Sequence, residues 1–181
     1  MENSIKEYNL WISQEELDAD TRAELAAMRW DTDKIYDAFH KELSFGTSGL
    51  RGIMRMNRYV VRKVTQGVAS YIKKNFSDPS FVIAYDCRRN SEEFAREAAC
   101  VMAANGIPVY IFDEMAPVSL LSFAVKRLGA SLGLMITASH NSREYNGYKV
   151  YSGDGYQITD EASEAILAEC QALDTFEDVS Y

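Results

Sequence analysis

Along the first forty or so residues the apolar positions fall near helical spacing. Leu17, Leu25 and Met28 share one face, and Ser13 is placed to cap their helix. Glu15 and Glu16 then sit in its first turn, where carboxylates suit the positive end of the helix dipole. A second amphipathic helix is predicted to start after Asp31 or Thr32 and to run through Ile35, Phe39 and Leu43. Residues 45–52, FGTSGLRG, break the periodicity. Three glycines in eight residues predict a loop with unusual backbone angles or a close approach to a ligand. Over residues 56–76 Val60, Val64, Val68 and Ile72 form a four-residue ladder, predicting a long helix.

After Pro79 the pattern changes to short apolar runs separated by helical stretches. Residues 81–85 read as a buried strand ending in Asp86, Arg88 and Arg89. Ser91, with Glu92 and Glu93 behind it, is read as the cap of a helix that reaches Ala104 and stops at Asn105-Gly106. Residues 107–112 give a second strand, Pro117 opens a third helix to about Arg127, and residues 131–137 give an apolar central strand. A fourth strand, 148–151, follows without an intervening helix and is therefore expected to run antiparallel. A turn at 152–155 leads to a last helix from Thr159 or Asp160 to about Leu173. This alternation predicts an α/β fold, a three-layer α/β/α arrangement around a small mixed sheet of about four strands. A helical leader (1–43) would pack on the main domain (44–181).

Composition narrows the class of function. Of 181 residues, 47% are hydrophobic and 25% charged, as in ordinary globular domains. The net charge of −8 offers no basic field for nucleic acid. No run is long and apolar enough to span a bilayer, and the start lacks a signal-peptide pattern. Cys87, Cys100 and Cys170 match no zinc spacing and leave one thiol over in any pairing. Reduced thiols in a cytoplasmic protein are the expectation. His40, among Asp37, Lys41 and Glu42, reads as a solvated surface histidine.

Candidate chemistry concentrates in residues 136–151, ITASHNSREYNGYKVY. The segment begins where an apolar strand ends, the edge at which open α/β sheets bind ligands. Between Ser139 and Lys149, eleven residues supply a hydroxyl, an imidazole (His140), two amides (Asn141, Asn146) and an ammonium. Phosphoryl transfer needs an oxygen nucleophile, a proton carrier and cationic or N–H donors for the moving charge. The same residue types are also common in turns, where they hydrogen-bond locally. A serine hydrolase fits less well, because Ser139 and His140 are adjacent and there is no G-x-S-x-G elbow. No P-loop is present. Arg51, flanked by glycines, could bring a planar guanidinium onto phosphate, or could be a surface residue of a loop. Asp86, Arg88 and Arg89, which also follow a strand end, are read in a salt-bridge or helix-entry role at least as readily as in a catalytic one.

Taken in order, FGTSGLRG, YDCRRNS, TASHN and YNGYKVY resemble the first domain of the α-D-phosphohexomutases, the phosphoglucomutases and phosphomannomutases, over residues 45–158. The long leader with Trp11 resembles the bacterial subgroup with an extended N-terminus. The resemblance implies a hexose 1-phosphate/hexose 6-phosphate mutase, acting on glucose and/or mannose phosphates through a hexose 1,6-bisphosphate. It implies that Ser139 carries the phosphoryl group and that Arg51 contacts phosphate, with Asn141 a further contact. His140 and Lys149 would carry protons. Mg²⁺ would be held by a phosphate oxygen on Ser139 and by aspartates outside these residues. The family has four domains, so the rest of the enzyme would come from elsewhere in the polypeptide, and these 181 residues alone would turn over little or nothing. Ser142 stands where the family usually has proline, which predicts a less rigid loop. Only Ile53 and Met54 separate GLRG from RMN, which predicts a shortened loop. The alternative is a non-catalytic phosphosugar-binding module that keeps the fold.

Overall fold

The computed structural model describes residues 1–39, 44–46, 49–51, 56–142 and 145–181, with backbone alone for 44–46 and 49–51. A four-stranded sheet has the order β4-β3-β5-β6, with β3 (Phe81–Tyr85), β4 (Val109–Ile111), β5 (Leu132–Ile136) and β6 (Tyr148–Ser152). β3 runs parallel to β4 and β5, while β6 is antiparallel to β5. The mixed sheet and the reversed last strand match the expectation from the missing helix. β3 and β5 are buried along their whole length, as strands covered on both faces must be.

Strand alternation divides the core. Phe81, Ile83, Tyr85, Leu134, Ile136, Tyr148 and Val150 face α4 (Arg58–Asn75), α5 (Ser91–Ala104) and α7 (Asp160–Gln171). Val82, Ala84, Met135 and Tyr151 face α6 (Val118–Leu128) through Leu121 and Val125. Helices therefore cover both faces, giving three layers. Asn57 caps α4 by accepting the Val60 N–H, and the ladder of Val60, Val64, Val68 and Ile72 is buried as expected. At Gly67 a Cβ would come 2.3 Å from Cys170 Sγ, so glycine is what lets α7 lie close on α4. Burial there pushes the Cys170 thiol up to about 12. The three cysteines are free thiols, Cys87 and Cys100 exposed.

The leader differs from expectation in its first half. Helix α1 spans Glu2–Ile12 and ends at Ser13, whose hydroxyl donates to the Leu10 carbonyl. Ser13 therefore closes a helix rather than opening one. Asp18 caps α2 (Ala19–Met28) instead, accepting from the Thr21 N–H and hydroxyl. Its carboxylate bonds two groups where a serine hydroxyl would bond one. Helix α3 (Thr32–Phe39) starts where predicted, with Asp31 accepting the Lys34 N–H. His40 and Leu43 lie outside the described residues, as do residues 52–55, where a shortened loop was expected. Ser91 is likewise not a cap. It is the first residue of α5, after Asn90 in left-handed backbone, and its hydroxyl donates to Asp86. The FGTSGLRG segment contains a short antiparallel hairpin, β1 (Ser44–Gly46) with β2 (Gly49–Arg51), rather than loop throughout.

Trp11, 2% exposed, joins the leader to the rest. Its ring meets Phe39, Tyr59 of α4 and Phe176 edge-on, with centroids 6.1, 5.9 and 5.1 Å away. The Tyr59 hydroxyl accepts from the Asp18 N–H and donates to the Glu16 carbonyl. Among the described residues no helix is long and apolar enough to cross a membrane. Trp11→Ala is expected to lower unfolding free energy by about 3–5 kcal/mol in a urea titration, within a single transition. Two transitions with the larger one unmoved would show that the leader folds apart.

Candidate active site

The site lies where the carboxyl ends of β3 and β5 meet the start of β6. The chain leaves β3 through Asp86, whose N–H donates to the Ile136 carbonyl. It leaves β5 through Thr137, whose N–H donates to the Gly147 carbonyl just before β6. Ser139 follows with φ +56°, in left-handed backbone that a residue with a Cβ adopts at a cost. Its N–H donates to Thr137 Oγ1 at 3.0 Å, and the Thr137 hydroxyl donates to Asp86 Oδ2 at 2.5 Å.

Lys149 sits opposite Met135 in the β5–β6 ladder, so its side chain leaves on the α6 side of the sheet. The residue is 8% exposed, and its Nζ donates to Ser139 Oγ at 2.6 Å. Among the described residues Lys149 pairs with no carboxylate. A nearly buried ammonium on a neutral hydroxyl is a charge awaiting an anion, because burial without a counter-charge is unfavourable.

Asp86 and Arg88 organise the loop from beneath. Asp86 Oδ1 accepts from the Arg88 N–H and the Ser91 hydroxyl, each at 2.9 Å. Arg88 Nη1 donates to the carbonyls of Ser142 and Tyr145, and Nη2 to those of Ser139 and Asn141, over 2.6–2.9 Å. Asn146 Nδ2 donates to Ser91 Oγ and to the Arg89 carbonyl.

Of the residues singled out in the sequence, Ser139 and Lys149 are in direct contact. His140 and Asn141 are exposed on the same loop, and the Asn141 main chain is turned inward, its N–H donating to the Ala138 carbonyl. The backbone of β2, ending at Arg51, runs beside β6; the Arg51 side chain lies outside the described residues. Asp86 and Arg88 make the salt bridge, Nε to Oδ2 at 3.5 Å, and the helix start that the sequence suggested. Their hold on the Ser139 loop was not foreseen. The available signal was an Asp-x-Arg directly after a buried strand, since the carboxyl ends of neighbouring parallel strands come together. A cleft of about 630 Å³ runs along α5 past Cys87, Arg96 and Cys100; Ser139 and Lys149 are not part of its wall.

The left-handed backbone at Ser139 has a measurable consequence. Ser139→Gly and Ser139→Ala both remove the hydroxyl, but only glycine relieves the backbone. The glycine variant is expected to be more stable than the alanine variant by about 1 kcal/mol in chemical denaturation. Equal stabilities would show that the position stores no strain.

Residues 42–177 match the family model for phosphoglucomutase/phosphomannomutase, alpha/beta/alpha domain I. The chain is 45% identical over 130 residues to a phosphoglucomutase of Staphylococcus haemolyticus, covering 69% of this chain and 24% of that protein. A phosphoglucomutase of Staphylococcus saprophyticus is 44% identical over 142 residues, covering 76% and 26%. The chain thus spans about a quarter of the length of the curated relatives it matches. A crystal structure from Thermus thermophilus, assigned as a phosphomannomutase, superposes with a TM-score of 0.67 at 31% identity, over 71% of this chain and 30% of that one. Parafusin, a Paramecium phosphoglucomutase, shares the fold with a TM-score of 0.62 at 17% identity, over 76% and 27%. The chain belongs to the phosphoglucomutase/phosphomannomutase family, and what it carries of that family is the α/β/α domain I.

Proposed function

We propose that this domain supplies the phosphoryl-carrying serine of a hexose-phosphate mutase, Ser139, and that the remaining domains of the enzyme come from elsewhere in the same polypeptide. The observation that carries this reading is the nearly buried Lys149 ammonium, set on Ser139 Oγ with no carboxylate partner among the described residues. A phosphate on Oγ would supply the missing anion. At an effective dielectric near 20, unit charges 4 Å apart attract by about 4 kcal/mol.

The reaction follows from that arrangement. Phosphoserine 139 transfers its phosphoryl group to the free hydroxyl of a hexose monophosphate, giving a hexose 1,6-bisphosphate. The P–Oγ bond breaks as a bond from phosphorus to the sugar oxygen forms. Lys149 stabilises negative charge appearing on Oγ and returns a proton to it. His140, exposed on the loop, takes the proton of the attacking sugar hydroxyl. After the intermediate reorients, the other phosphate returns to Ser139 and the isomeric monophosphate leaves. Arg51, at the end of a strand running beside β6, and Asn141 contact phosphate in this reading.

Mg²⁺ would add a Lewis acid for the phosphoryl charge. Ser139 offers it a phosphate oxygen, but the described residues hold no group of three His, Cys, Asp or Glu that could complete a site. Asp86, the nearby carboxylate, is occupied by Thr137, Ser91 and Arg88. Further ligands are therefore assigned to the other domains. Glucose and mannose phosphates are the proposed substrates, and three free thiols suit a reducing cytoplasm.

To test this, the chain is expressed together with the domains that complete the four-domain enzyme and incubated with glucose 1,6-bisphosphate and Mg²⁺. Peptide mass spectrometry is expected to find phosphate on Ser139. Ser139→Ala should lose both the phosphate and at least about three orders of magnitude of isomerisation rate. Phosphate elsewhere, or activity surviving in the variant, would leave the non-catalytic phosphosugar-binding module as the better account.

A further inference from the structure

We propose that Arg88, whose donors go to main-chain oxygens, is the positioning residue of the phosphoryl-carrying loop, aiming Ser139 Oγ at Lys149. The inference rests on the mutase reading for the identity of the carried group, and on geometry for everything else.

The two terminal nitrogens of the guanidinium make four hydrogen bonds, to the carbonyls of Ser139, Asn141, Ser142 and Tyr145. The fifth donor, on Nε, faces Asp86 Oδ2 at 3.5 Å. The Arg88 side chain is 12% exposed. Four carbonyls, those of Ser139, Asn141, Ser142 and Tyr145, converge on one planar cation that grows from the end of a different strand.

Two consequences follow. First, Ser139 is held through both of its main-chain polar groups. Its N–H is on Thr137 Oγ1 and its carbonyl is on Arg88 Nη2. Fixing both peptide planes around a residue with φ +56° fixes the direction of its Cα–Cβ bond. The hydroxyl is thereby delivered to Lys149 Nζ, which arrives independently from β6. Secondly, carbonyl oxygens gathered on the guanidinium cannot turn toward an anion on Oγ, where they would repel it. The loop carries serine at 142 where a proline would stiffen it, and the Arg88 bond to the Ser142 carbonyl restrains it from outside.

Lysine cannot replace this arrangement. Its three N–H donors radiate from one atom, whereas the guanidinium presents a rigid planar fork. Arg88→Lys keeps the charge and loses the fork, so it separates positioning from simple electrostatics.

The test installs phosphoserine at position 139 of the 181-residue chain during synthesis, by genetic code expansion. The mutase reading is decided separately, by whether a bisphosphate donor labels Ser139, so the two can fail independently. Two quantities are read in the parent chain, Arg88→Lys and Arg88→Met. One is the second pKa of the phosphate, from a ³¹P NMR pH titration. The other is amide hydrogen exchange over residues 139–146. In the parent chain contact with Lys149 favours the phosphate dianion and holds its pKa below the value near 6 of free phosphoserine. Both variants are expected to raise that pKa by about one unit and to speed loop exchange at least about tenfold, with the β5 and β3 amides unchanged. A lysine variant that keeps the parent titration would overturn the proposal, because charge alone would then suffice. So would a methionine variant with unchanged exchange, or global unfolding of both variants, which would make Arg88 a general stability residue.

Discussion

The site depends on one electrostatic constraint, a largely buried lysine whose ammonium rests on the hydroxyl of an exposed serine. Lys149 occupies a sheet position that would ordinarily hold an apolar side chain, beside Met135 and across from the α6 core. Such a charge disfavours the folded state unless something compensates it. Within the described residues the compensation is a neutral oxygen, so the folded domain retains an attraction for anions at that point. The phosphate ester proposed on Ser139 would answer the attraction directly. The neighbouring architecture can be understood as what delivers Oγ to this cation. The reversed strand β6 brings Lys149 in from one side, the end of β5 brings Ser139 in from the other, and Asp86 and Arg88 fix the main chain between them.

The strain at Ser139 belongs to the same arrangement. A serine at φ +56° is costly unless its surroundings determine it, and here its N–H and its carbonyl are both held. The carboxylate of Asp86 links these contacts, since it receives Thr137 and Ser91 and lies beside Arg88. One charged pair at the end of β3 thus sets the conformation of a loop about fifty residues later in the chain.

Much of the fold was legible in the sequence because periodicity reports burial directly. The valine ladder of α4, the wholly apolar β3 and β5, and the missing helix before β6 each have a local signature. The helix starts were less legible. Ser13 and Ser91 both have a favoured cap residue's chemistry, yet one closes a helix and the other donates to Asp86. Capping preference is a local property, and in both cases the hydroxyl found a better-placed acceptor. The site divides in the same way. Ser139 and Lys149 could be singled out from one stretch of chain. The roles of Asp86, Arg88 and Thr137 were only hinted at, by an Asp-x-Arg after a buried strand, because the loop they hold is set by the spatial adjacency of β3 and β5.

The most direct measurement on this account is the rate at which phosphate appears on Ser139 when Lys149 is replaced by methionine, which is similar in length and uncharged. The variant and its parent are compared in the chain joined to the further domains proposed to complete it, mixed rapidly with glucose 1,6-bisphosphate. The predicted result is a fall of at least about a hundredfold in that rate, with sugar phosphate binding changed far less, since in the proposed mechanism the ammonium acts on the charge that develops during transfer. An unchanged rate of phosphorylation in Lys149→Met would contradict the account at its centre.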